Sequence, residues 1–111
     1  MNPFATLATL PVSAINALTA QNDELAALVN RCEDLSDLQA AERVFRSYAD
    51  LWSALGYGYK VDEARQRIVS RARALAASER QQAAECKPRE YVYRNKCATR
   101  ATLLEGYANG L

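Results

Sequence analysis

A chain of 111 residues can bury a modest core without metal or bridges, and one helical domain over 1–111 is expected. Half of its residues are hydrophobic while Gly and Pro number only four and three, which excludes a disordered tail; no apolar run approaches the roughly 18–20 residues of a membrane span. Net charge is +1, yet residues 1–59 carry −4 and residues 60–111 carry +5, so the two halves of a folded hairpin can attract.

Asn2-Pro3 predicts a short first turn, since Pro suits the first helical position, and Pro11 interrupts it. No basic residue precedes Arg31, so no secretory signal is expected and the default location is cytoplasmic. A first helix is predicted over about 13–32, with Ile15, Leu18, Asn22, Leu25, Val29 and Cys32 at steps of three and four. Asn22 interrupts this seam; a bend or rotation that lets it reach water is the favoured reading over a register-fixing buried Asn. The short link Glu33-Asp34-Leu35 implies an antiparallel neighbour.

The second helix, about 37–55, has the strongest pattern. Ser36 and Gln39 form a capping-box signature, and Leu38, Ala41, Phe45, Tyr48, Trp52 and Leu55 share one face. Gly56 and Gly58 supply a stop. A third helix is predicted over about 62–84, with Asp62 as N-cap and Val61, Ala64, Ile68, Ala72 and Leu75 as its apolar line. Past Leu75 the line weakens, so that end either leaves the core or meets another protein. Lys87-Pro88 breaks the helix. Tyr91-Val92-Tyr93 has strand propensity, but Tyr93, Cys97, Ala101, Leu104 and Ala108 recur at helical steps, which predicts a fourth helix over about 90–108. The fold class is therefore all-α, an antiparallel bundle or hairpin array of three to four helices.

The chain contains no histidine, phosphate loop or nucleophile motif, so no catalytic, cofactor or metal residue is expected. Cys32 reads as a small buried hydrophobe. Cys86 and Cys97 lie too far apart in sequence for a zinc pair, and free thiols are favoured over a bridge. The interaction candidates are aromatic. Tyr57 and Tyr59 are either exposed anchors or caps over a helix end, and Trp52 joins them if its seam faces outwards. Tyr91 and Tyr93, interleaved with Arg89, Arg94 and Lys96, suit base stacking or a solvated protein surface. Arg65, Arg67, Arg71, Arg73 and Arg80 do not share one face, which speaks against nucleic acid; Arg65, Arg71 and Arg94 would carry that reading.

Over about residues 14–77, Ala17-Leu18, Leu25 through Val29, Asp34-Leu35-Ser36-Asp37-Leu38-Gln39, Phe45, Tyr48, Leu51 and Leu55 form a pattern that resembles phasins. These are helical proteins that coat polyhydroxyalkanoate granules. The three cysteines and the tyrosine-rich C-terminal segment depart from it. The resemblance implies amphipathic coating of a polyester surface, self-association, granule localisation and no catalysis. The leading expectation is thus a non-enzymatic interaction or coat protein whose partner is itself, another protein or a granule. The alternative is a small phage-encoded virion protein or a protein inhibitor.

Overall fold

The computed structural model describes residues 12–111, with side chains from Ile15 onward; the turn expected at Asn2-Pro3 and its break at Pro11 lie outside the described residues. Among the described residues there are four α-helices and no strand: α1 Val12–Asn30, α2 Leu35–Ala54, α3 Gly58–Glu85 and α4 Tyr91–Gly110, with a 3-10 turn at Pro88–Glu90 before α4. The fold is all-α, and successive helices run antiparallel. None is long and apolar enough to cross a membrane.

The helix boundaries correct three expectations. Asp34, not Ser36, caps α2: its carboxylate accepts from the Asp37 amide (2.8 Å), while Asp37 Oδ2 accepts from the Glu33 amide (3.0 Å). Asp caps as well as Ser, and starting two residues earlier lets Leu35 pack on the core. α3 likewise begins at Gly58 rather than at Asp62, which lies within the helix and pairs with Arg65. Between α2 and α3 the Tyr57 amide donates to Trp52 O and the Gly56 amide to Ser53 O, with Gly56 at φ 87°. This left-handed stop needs only Gly56, so Gly58 is released to open the next helix. Finally, α1 ends at Asn30, and Cys32 is buried in the link with its thiol donating to Leu28 O (3.4 Å).

Packing follows the predicted seams except at two outer members, Ile15 (39%) and Tyr93 (47%), which are exposed. Leu25 and Val29 of α1, Leu38, Ala41, Phe45 and Trp52 of α2, and Val61, Ala64, Ile68 and Ala72 of α3 join one core, completed by Ala101, Leu104 and Ala108 of α4. Val69 and Ala76 belong to that core as well, beside the predicted line. Nine of these positions are alanine or valine, which lets the helix axes approach closely. Tyr91-Val92-Tyr93 is helical, so the strand propensity is overridden.

The molecule is a rod of 66 × 22 × 16 Å. α3 sets its length, because 28 residues span about 42 Å. Buried residues of α3 stop at Ala76 and those of α4 start at Cys97, which is buried apart from the main core. The α3–α4 hairpin therefore projects beyond α1 and α2 as a two-helix tip.

One polar contact ties α4 back to α2. The Tyr107 hydroxyl donates to Glu42 Oε1 (2.7 Å), with Leu38 O at 3.3 Å. That bond, with smaller help from Arg46, holds the Glu42 carboxyl below its ordinary value despite desolvation. A lowered folded-state value stabilises the fold above the unfolded carboxyl range near pH ~4.3 and is lost as pH falls through the folded value. Tyr107→Phe should cost about 1.5 kcal/mol at neutral pH and flatten the acid limb. Chemical denaturation of both proteins at neutral and acid pH measures this; an unchanged pH slope would rule the contact out as its source.

Candidate interaction site

The six aromatic and basic candidates fall into two groups at opposite ends of the rod. Trp52, Tyr57 and Tyr59 surround the α2–α3 turn, whereas Tyr91, Tyr93 and Arg94 follow the Pro88–Glu90 turn. The full length of α3 lies between them.

Trp52 is not a surface contact. It is 2% exposed, its Nε1 donates to Gln21 Oε1 (3.3 Å), and its ring sits 5.6 Å from that of Tyr48. Tyr57 is half-buried over the end of α2, while Tyr59 is 56% exposed, with ring centroids 6.1 Å apart. Here the helix-end reading holds for Tyr57 and the exposed reading for Tyr59.

At the tip, Lys87 takes the extended conformation that a following Pro demands (ψ 158°). Its amide donates to Glu90 Oε1 (2.9 Å), which closes the turn and starts α4. Tyr91, Val92 and Tyr93 then emerge at 57%, 54% and 47% exposure. The Tyr93 hydroxyl donates across the hairpin to Gln82 Oε1 (2.9 Å), and the Cys97 thiol beside it pushes its pKa up, so it remains a donor. Arg100–Glu79 (3.2 Å) and Arg80–Glu105 brace the hairpin lower down. Lys87, Arg89, Arg94 and Lys96, by contrast, make no ion pair among the described residues. Val92 was the missed member of this patch; its signal was a β-branched residue between two tyrosines in a chain stretch that proved helical.

The cysteines are free thiols. Cys86 donates to Gln82 O (3.2 Å) and Cys97 lies 3.9 Å from Gln82 Oε1, so the Gln82 residue stands between them. Desolvation raises the pKa of the Cys32 and Cys86 thiols, which disfavours the nucleophilic thiolate.

The three arginines of the nucleic-acid reading do separate jobs. Arg71 donates to Cys32 O through Nε (3.0 Å) and Nη2 (2.7 Å), and Arg65 pairs with Asp62 and lies over the Phe45 ring. Arg94 alone stands on an open surface. Compared with known proteins, the chain matches no family model, no curated protein and no solved structure.

Proposed function

We propose that this chain is a non-enzymatic interaction protein that docks on an acidic protein surface through the α3–α4 tip. One observation carries the reading: Tyr91, Val92 and Tyr93 stand exposed at the end of a projecting hairpin, ringed by Lys87, Arg89, Arg94 and Lys96, which have no carboxylate partner among the described residues. Aromatic side chains with arginine are the usual energetic centres of protein interfaces. Tyrosine loses little conformational entropy on docking, and helices already formed need no folding on contact. Unpaired cations add attraction for an acidic partner and raise its association rate.

The granule-coating reading asks more of the molecule. Leu38, Phe45 and Trp52, the side chains that a coat would turn outwards, are at most 5% exposed here. Coating would require α2 to leave the bundle, so adsorption to polyhydroxybutyrate particles with exposure of Trp52 would favour that reading instead.

The tip reading is tested with the full chain as bait in an extract of its source cells, followed by affinity measurement on the retained protein. Tyr91→Ala with Tyr93→Ala should weaken binding about 30-fold or more, the equivalent of a hot-spot loss of about 2 kcal/mol. Arg94→Glu should slow association most at low salt. Helical circular dichroism should stay unchanged in both. Retention that ignores these substitutions, or release only by substitution of Tyr59, would overturn the proposal.

A further inference from the structure

A second site lies at the other end of the rod and is independent of the tip. Where α1, the end of α2 and the start of α3 converge, a half-open cleft of about 190 Å³ remains. Trp52, Tyr57 and Tyr59 form aromatic walls, Leu18 adds an apolar side, and Lys60 and Asn22 border it. The Schellman turn at Gly56 builds this wall, because its hydrogen bonds bring Tyr57 back over Trp52. The volume suits one ring: a cavity of roughly 150 Å³ already takes benzene.

We propose that this cleft binds a small planar aromatic anion of the aryl carboxylate class. The walls alone would accept any flat ring, since ring faces and edges pair at centroid separations of about 4.5–7 Å. Two polar groups narrow the class. Lys60 Nζ stands 5.6 Å from the Tyr59 ring centroid, and its ion pair among the described residues is a long one to Glu63 (3.8 Å). A carboxylate beside that ring gives the ammonium a shorter, charge-assisted partner. Asn22 supplies the second. Its Oδ1 is buried without a hydrogen-bond partner among the described residues, an arrangement that costs stability in a closed core and is expected at a binding site. The carboxamide nitrogen is a donor for a carboxylate oxygen, and a half-turn of the amide exchanges the two atoms. The aromatic walls, a cation and an amide therefore converge on one ring with one anionic group.

The chain has a single tryptophan, so Trp52 emission reports on this cleft alone. The full-length protein is titrated with benzoate, benzyl alcohol and acetate, with Trp52 fluorescence and backbone amide NMR shifts as readouts. Benzoate should give a saturable change centred on Trp52, Tyr59 and Lys60. Benzyl alcohol should bind about tenfold more weakly, the equivalent of one charge-assisted hydrogen bond, and acetate should give no response. Lys60→Gln should weaken benzoate by the same factor and leave benzyl alcohol unchanged. Tyr59→Ser should weaken both, whereas Tyr91→Ser should affect neither. Absence of a saturable response at millimolar benzoate overturns the site. Equal affinities for benzoate and benzyl alcohol, or indifference to Lys60→Gln, overturn the ligand class. Both Lys60 and Tyr59 are outside the core, so their variants keep the fold and the result is readable.

Discussion

Trp52→Ala should destabilise the protein by about 3–5 kcal/mol, the range for loss of a large buried aromatic. The ring is 2% exposed and packs within the single core shared by all four helices. Its removal leaves a void that Leu18, Tyr48 and Tyr57 can fill only in part, because the Tyr57 backbone is held by the hydrogen bond from its N–H to Trp52 O. A domain of this size has only some 5–15 kcal/mol in total, so the variant should sit near the edge of folding. Urea denaturation followed by circular dichroism gives the comparison, and the midpoint should fall at an unchanged slope. Leu51→Ala is the matched control. Leu51 is 48% exposed, off the buried seam, and its loss should stay within about 0.5 kcal/mol. Equal losses at the two positions would mean that the α2 seam faces the wrong way.

That contrast between adjacent residues was legible from spacing alone. Leu38, Ala41, Phe45 and Trp52 recur at helical steps, and a side chain's face follows from its step. The Cys97, Ala101, Leu104 and Ala108 line was legible for the same reason, although the segment opens with the strand-favouring Tyr91-Val92-Tyr93. Helix starts were harder to read. Asp34 and Ser36 are both good caps, and the choice fell to the residue that lets Leu35 reach the core. Local chemistry proposes several starts, and packing selects one.

The candidate sites were legible as residue types but not as places. Tyrosines 57, 59, 91 and 93 look alike in sequence; the length of α3 separates them into a cleft wall and a projecting tip. Nor does an amphipathic stripe state whether it closes a core or meets a partner. The decision depends on how many helices are present to cover it. On α3 the stripe is covered up to Ala76, and beyond that point, among the described residues, only α4 remains alongside. The tip is exposed because α1 and α2 are too short to reach it, and α4 there presents its aromatic first turn to solvent.

Arg71→Met should cost about 1.5–3 kcal/mol, the range for hydrogen bonds that involve a charged group. Both guanidinium contacts end on Cys32 O, a carbonyl just past the C-terminus of α1 where helical partners have run out. The cation also meets the negative end of the α1 dipole there. Methionine preserves much of the aliphatic stem but strands that carbonyl. Arg71→Lys should recover only part of the loss, because an ammonium cannot reproduce two donors in a planar fork. The same substitutions decide how the basic half of the chain is used. If its arginines acted as a phosphate-binding set, Arg71→Met and Arg94→Met would weaken nucleic-acid binding alike and leave stability unchanged. The geometry divides them: Arg71 should change the denaturation midpoint, and Arg94 should change only binding at the tip. Denaturation curves of the two variants side by side separate these outcomes. An Arg71→Met protein as stable as the parent would show that the link at Cys32 needs no cap, and would return Arg71 to the surface.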